Sequence, residues 1–195
     1  MQYGAAAQEE LREESRQTFP LSANALVEIA NINRDVIIQT SASELAEVEI
    51  IRLAKRQRHL KYHPVTVEQS PAGLLIKGKE DQAAYRRGIE VKQRVTLKIP
   101  RQASLEVRNI GGSVRIVELG GPLKVEQVSG SLEIRLAENL NADLTAKYIG
   151  GGLYINLSNS DRVDPESAAV SVTRRIGAGG TPILISKVSG SVVIR

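Results

Sequence analysis

Residues 182–195, PILISKVSGSVVIR, restate residues 122–135, PLKVEQVSGSLEIR, with seven of fourteen positions identical. A repeat constrains a fold strongly, because each copy must form the same supersecondary unit and bury its apolar side against a neighbour. Four thirteen-residue copies align: SLEVRNIGGSVRI from Ser104, PLKVEQVSGSLEI from Pro122, DLTAKYIGGGLYI from Asp143 and PILISKVSGSVVI from Pro182. Aliphatic residues or Ala fill positions 2, 4, 7, 11 and 13, and position 9 is always Gly (Gly112, Gly130, Gly151, Gly190). A fainter copy near the start places Val27, Ile29, Ile32, Val36 and Ile38 in the apolar slots, with Arg34 where Gly should stand.

Positions 2 and 4 lie on one face of a strand, as do 11 and 13. Position 7 is an odd step from 4, so the chain must bend or bulge between them to turn that side chain inward. Gly at position 9 supplies the positive φ or the clearance that a corner needs. Each unit therefore reads as strand, corner, strand. Outward positions alternate in charge: Glu106 then Lys124 at position 3, Arg115 then Glu133 at position 12, and Arg108, Glu126, Lys147 at position 5. Copies stacked in parallel register about 4.8 Å apart would set these charges side by side.

The rest of the chain from Phe19 also alternates, as in ALVEIANINRDVII, AEVEIIRL and IEVKQRVTLKIP, with Gly and Pro between segments. A weaker rung is expected at Val170, Val172, Ile176 and Gly177, and QEELREESRQ (8–17) reads as a tail or short exposed helix. The expected fold is all-β: a single-stranded β-helix (β-solenoid) of stacked ~20-residue strand-corner-strand rungs, with a β-sandwich or β-roll as the alternative. Residues 1–17 form a flexible or short helical tail and 18–195 a single β-solenoid domain. Because the pattern runs to Arg195, the last rung is expected to leave an exposed edge able to pair with another copy.

Composition narrows the function. Only 3% of residues are aromatic, so the core is Ile, Val and Leu. An excess of 26 basic over 22 acidic residues falls short of a nucleic-acid binder. The absence of Cys removes thiol nucleophiles and Cys-based metal sites. Every Gly pair leads into a strand, which excludes a phosphate-binding loop opening a helix. His59 and His63, in KRQRHLKYHP, are four apart but have no Glu between them and Pro64 after them, so they read as a solvated, partly extended loop. Ser129 and Ser189 are turn residues without a neighbouring His. No catalytic residue, metal site or cofactor is expected. The binding candidates are Lys55, Arg56, Arg58 and Lys61, suited to anionic lipid head groups or wall polymers, with Arg86-Arg87 and Arg174-Arg175 as lesser basic pairs; the same segment also reads as a solvated loop without a ligand. Tyr148 and Tyr154, at positions 6 and 12, are candidates for a sugar-stacking platform or, equally, for a lateral packing contact.

Three stretches carry a resemblance: TFPLSANALVEIANINRDVII, VTLKIPRQASLEVRNIGGSVRIVELGGPLKVEQVSGSLEI and RRIGAGGTPILISKVSGSVVIR. In order and spacing, from Phe19 to Arg195, the chain resembles the "putative adhesin" β-strand-repeat domain family of bacterial envelope proteins. Arg34 departs from it, since the family has Gly after Asn. The resemblance implies a β-solenoid outside the cytoplasm, periplasmic, secreted or envelope-attached, with a targeting segment upstream of these residues and Ala5 to Gln8 marking a processed start. It carries over no catalytic residue, cofactor or ligand. The expected function is a non-enzymatic envelope module for binding or scaffolding. Its expected partners are an envelope polymer, an anionic membrane surface or a protein, not nucleic acid, with homo-oligomers formed through terminal rungs. The alternatives are a self-assembling structural solenoid, an envelope-stress signalling component, or a carbohydrate-active enzyme.

Overall fold

A computed structural model describes residues 10–79, 81–157 and 171–195. Its strands are β1 (Leu11–Pro20), β2 (Leu26–Ile32), β3 (Val36–Ser41), β4 (Leu45–Ala54), β5 (Val65–Ser70), β6 (Gly73–Gly78), β7 (Val91–Pro100) and β8 (Ser104–Ile110). They continue with β9 (Val114–Leu119), β10 (Leu123–Val128), β11 (Leu132–Leu136), β12 (Ala142–Ile149), β13 (Leu153–Ile155), β14 (Ser171–Ile176), β15 (Thr181–Val188) and β16 (Val192–Ile194). One short helix, α1 (Gln82–Arg86), lies between β6 and β7.

Each thirteen-residue copy contributes its first strand to one sheet and its second to the other. The sheets run β14-β12-β15-β10-β8-β2-β6-β5 and β1-β4-β7-β3-β9-β11-β16-β13. Both are mixed and neither closes. Their facing sides hold columns of equivalent residues: Val27, Leu105, Leu123, Ile183 and Leu144 at position 2, and Ile38, Ile116, Ile134, Ile194 and Ile155 at position 13. All of these are buried in one aliphatic core. Layering of β-branched and Leu side chains at strand spacing is what this composition can pack without aromatics.

The order along the stack is not the order along the chain. β15–β16, the last copy, lies between β10–β11 and β12–β13. A single-stranded β-helix would place successive coils side by side, so the arrangement matches the sandwich alternative. It also corrects the expectation of an exposed final edge: β15 and β16 are paired on both sides. The expected charge contacts follow the same logic. Lys124 meets Glu106 at 3.5 Å and Arg115 meets Glu133 at 2.8 Å, but Ser186 separates Glu126 from Lys147. Arg108 lies in register with Glu126 and forms its ion pair on the other side, with Glu28.

Antiparallel arms end the parallel stack. β4 and then β1 extend one sheet beyond β7, and β5 extends the other beyond β6. At the opposite end β14 pairs antiparallel with β12, so Val172 and Ile176 belong to an edge arm instead of a rung; Val170 lies outside the described residues. Residues 11–17 are likewise strand, not tail or helix. Their charge pattern suits an edge, where Arg16 bridges Glu14 and Glu49 and Arg52 takes Glu13. Charged edge strands resist pairing with other chains.

The bend between positions 4 and 7 falls at position 6. Asn31, Asn109, Gln127, Lys187 and Tyr148 all occupy it, and all have φ between 53° and 62°. Position 9 keeps ordinary φ and serves clearance instead. A Cβ on Gly112 would lie 2.5 Å from the Arg34 backbone, one on Gly130 2.6 Å from the Gly112 carbonyl, and one on Gly151 2.7 Å from the Gly190 backbone. Arg34 escapes this requirement because the neighbouring crossing from β6 to β7 is the long segment carrying α1, with no tight corner to press on it.

Candidate functional site

The basic segment 55–64 crosses from the end of β4 to the start of β5, over the corner side of the stack. One 3-10 turn, Gln57–His59, replaces the helix that a spacing of four between the histidines would need. The loop is not free. Leu60, 4% exposed, packs with Ala54 and Val91 in a small apolar cluster of its own. Arg52, already paired with Glu13, donates from Nη1 to the Leu60 carbonyl at 2.7 Å.

His63 corrects the reading of a solvated loop, being only 7% exposed. Its Nδ1 accepts the Asp81 backbone N–H at 3.2 Å, which leaves the ring proton of the neutral form on Nε2. The His63 carbonyl accepts from the buried Gln93 amide. His59 stays on the surface; partial burial, then the Arg58 and Arg56 charges, hold its pKa below the ordinary value.

Lys55, Arg56, Arg58 and Lys61 are all exposed on this pinned loop. Among the described residues none of the four has a carboxylate within ion-pair distance; Lys61 instead lies 5.2 Å from the Tyr62 ring centroid. The contrast is with the sheet faces, where Arg108, Arg115 and Lys124 are each matched by a Glu. The structure brings Arg86 and Arg87 to the same corner, at the end of α1, whose Asp81 cap also holds His63. A cleft of about 850 Å³ opens there, lined by Asn33, Arg34, His63, Tyr85, Arg86 and Glu90 among others. Arg174 and Arg175 are at the other end of the stack, with Arg175 3.6 Å from Asp143.

The two tyrosines do not form a platform together. Tyr148 ends β12 at position 6 and is 61% exposed, whereas Tyr154 is half-buried in β13 beside Val193, in the other sheet. No ring contact joins them. What the sequence reading missed is the column to which Tyr148 belongs. Asn109 donates to the Asn31 side chain at 3.0 Å, and Gln127, Lys187 and Tyr148 continue the line, one per strand. At its far end a groove of about 690 Å³ is lined by Asn31, Asn109, Gln127, Lys77, Lys79 and Thr66, and by Pro64 at the foot of the basic loop. The signal was present as five polar or aromatic residues at one repeat position.

Among the described residues no group of three or more His, Asp or Glu side chains is placed to hold a metal ion. No helix among them is long and apolar enough to cross a membrane. No family model and no curated protein matches the sequence. Among solved structures, 94% of the chain is similar to 99% of a "putative cell adhesion protein" from Clostridium sporogenes, with a TM-score of 0.47 at 11% identity. A "putative adhesin" from Bacteroides fragilis aligns over 94% of this chain and 97% of its own, with a TM-score of 0.32 at 10% identity. A "putative lipid binding protein" from Parabacteroides distasonis aligns over 93% and 96%, with a TM-score of 0.29 at 11% identity.

Proposed function

We propose that this chain is a non-enzymatic, extracytoplasmic binding module that attaches to an anionic surface of the bacterial envelope. Residues 18–195 act as one unit in this reading. The observation that carries it is the loop 55–61: four exposed cations with no ion-pair partner among the described residues, on a backbone held by Leu60, Arg52 and His63. Unmatched cations attract polyanions over roughly a Debye length of ~8 Å at physiological salt. A loop already ordered loses little entropy on binding.

The test is co-sedimentation with bacterial wall fragments and with phosphatidylglycerol-containing vesicles across a salt series. Each basic residue at an anionic surface contributes about 1 kcal/mol. Replacing Lys55, Arg56, Arg58 and Lys61 together by Ser is therefore expected to weaken binding by at least about a hundredfold and to flatten its salt dependence. Binding unchanged by the fourfold substitution would remove the loop from the function.

A further inference from the structure

The bend that buries position 7 explains the left-handed backbone at position 6, but not the side chains that occupy it. Its members share a backbone conformation that only Gly and Asn adopt readily. Gln127, Lys187 and Tyr148 hold it with large, exposed side chains. Tyr148 is the extreme case: φ is +57°, the side chain is 61% exposed, and the ring meets no other ring or cation among the described residues. Neither backbone preference nor burial selects Tyr there. Strained, solvent-facing positions of this kind concentrate at binding surfaces.

The column's place in the fold supplies the ligand chemistry. It starts beside Pro64 and Lys79, whose backbones are hydrogen-bonded at 2.9 Å, where the basic loop ends. It then runs past Lys77, which pairs with Ala30 one residue off the column and lines the adjoining groove, to Asn31, Asn109, Gln127, Lys187 and Tyr148, in the strand order β6-β2-β8-β10-β15-β12. Five inter-strand steps of about 4.8 Å make a path of about 24 Å. That step is close to the advance of one unit in an extended sugar chain. Amides of Asn109 and Gln127 donate to and accept from hydroxyls, a terminal tyrosine offers an apolar face to a pyranose ring, and lysines supply charge at both ends. Among the described residues no carboxylate lines the groove beneath Lys77 and Lys79; Glu126 stands beside the path, 3.7 Å from Lys187.

We propose that the position-6 column is a binding track for a linear acidic polysaccharide, entered from the basic loop and ending on Tyr148. The track rests on the anionic-surface reading for its basic end and names the polymer. A membrane lacks the repeat that the column matches, and is the outcome to be distinguished.

The probes are polygalacturonate, its oligomers of defined length, neutral dextran, and vesicles of phosphatidylglycerol and phosphatidylcholine. The column variant is Asn109→Gly, Gln127→Gly and Tyr148→Asn, residues suited to positive φ; relief of backbone strain offsets loss of the Asn109–Asn31 hydrogen bond, so its thermal melt should stay close to that of the parent. Expected are binding of polygalacturonate but not dextran, and affinity that rises with oligomer length up to about five or six units. The column variant should lose about tenfold in polygalacturonate affinity with vesicle binding unchanged. Lys77→Gln with Lys79→Gln, which leaves the strained backbone alone, should weaken the polymer in the same direction. Polymer affinity equal in parent and column variant overturns the track, and binding to vesicles alone does so while sparing the anionic-surface reading. Failure of the loop substitution to weaken either probe overturns that reading separately.

Discussion

Gly190 donates its backbone N–H to the carbonyl of Gly130 at 3.0 Å, joining the last copy of the repeat to one far earlier in the chain. Gly151 donates to Gly190 in turn at 3.1 Å, and Gly130 to Gly112 at 3.0 Å, so the corner is a continuous backbone ladder. A Cβ on Gly190 would stand 2.7 Å from the Gly130 carbonyl oxygen, with no flexible side chain to yield. Gly190→Ala and Gly130→Ala should each destabilise by about 1–3 kcal/mol through overpacking. Arg34→Gly, at the same repeat position but beside the long crossing, should change stability by less than about 1 kcal/mol. Urea unfolding of the three variants checks this, and equal losses at all three would refute the assigned stacking direction.

The same insertion predicts an asymmetry between the two ends of the chain. Removing residues 181–195 takes out strands paired on both sides in both sheets. The remaining β10–β11 and β12–β13 would have to close a gap or leave an apolar interior open. Removing residues 10–20 deletes only β1, an edge strand with charged side chains. The C-terminal deletion should abolish cooperative unfolding and raise protease sensitivity throughout, whereas the N-terminal deletion should retain a sigmoidal melt at somewhat lower temperature. Circular dichroism with limited proteolysis separates the two.

How far the sequence announces this structure depends on the range of the interaction. Strand faces were legible because the period of 2 is local: Val107, Val125 and Ile185 point inward as their spacing requires. The bend before position 7 was legible for the same reason, although its positive φ sits on Asn109 and its equivalents instead of on Gly112. Parallel register showed in the Glu106–Lys124 and Arg115–Glu133 contacts. Stacking order was not legible, because all copies present nearly the same apolar edge and nothing local states which neighbours which. In hindsight the ladder charges hint at it, since Ser186 at position 5 can stand between Glu126 and Lys147 without repulsion. The basic loop was visible as composition, but the burial of His63 depends on Asp81 and Gln93, distant in sequence.

Glu133 joins the end of the chain to the third position of the stack. It accepts from Arg195 and from Arg115, and these bonds, foremost that from Arg195, hold its carboxyl below the ordinary glutamate range against an opposing effect of burial. A carboxylate with a lowered folded pKa contributes stability that is present above the unfolded value and lost as pH falls through the folded one. Glu133→Gln should therefore be less stable than the parent at pH 7, by up to about 1 kcal/mol for a largely surface network. The difference should vanish as pH drops below the ordinary glutamate range and through the lowered value. Denaturant midpoints between pH 7 and pH 2 measure it; a gap that persists at the acid end would assign the effect to packing.

The last prediction concerns how the basic loop is presented. Among the described buried residues Leu60 clusters with Ala54 and Val91, apart from the main core, so its loss should act locally. Leu60→Ala is expected to destabilise the 55–64 segment by roughly 2 kcal/mol, the low end for a buried leucine because the site is small and open to collapse. The global melt should move little, since local opening needs less free energy than unfolding the sheets. Hydrogen exchange should quicken at Leu60 and Tyr62, whose N–H groups donate to the Gln57 and His59 carbonyls. All four cations remain, so the salt dependence of binding to an anionic surface should keep its slope. The affinity should nevertheless fall several-fold, because the loop must then be ordered on binding. Charge and order are thereby separated: the fourfold Ser substitution changes the slope, and Leu60→Ala changes the intercept. If Leu60→Ala left affinity untouched while exchange quickened, the cations would act as a diffuse field, and the anchoring by Leu60 would serve stability alone.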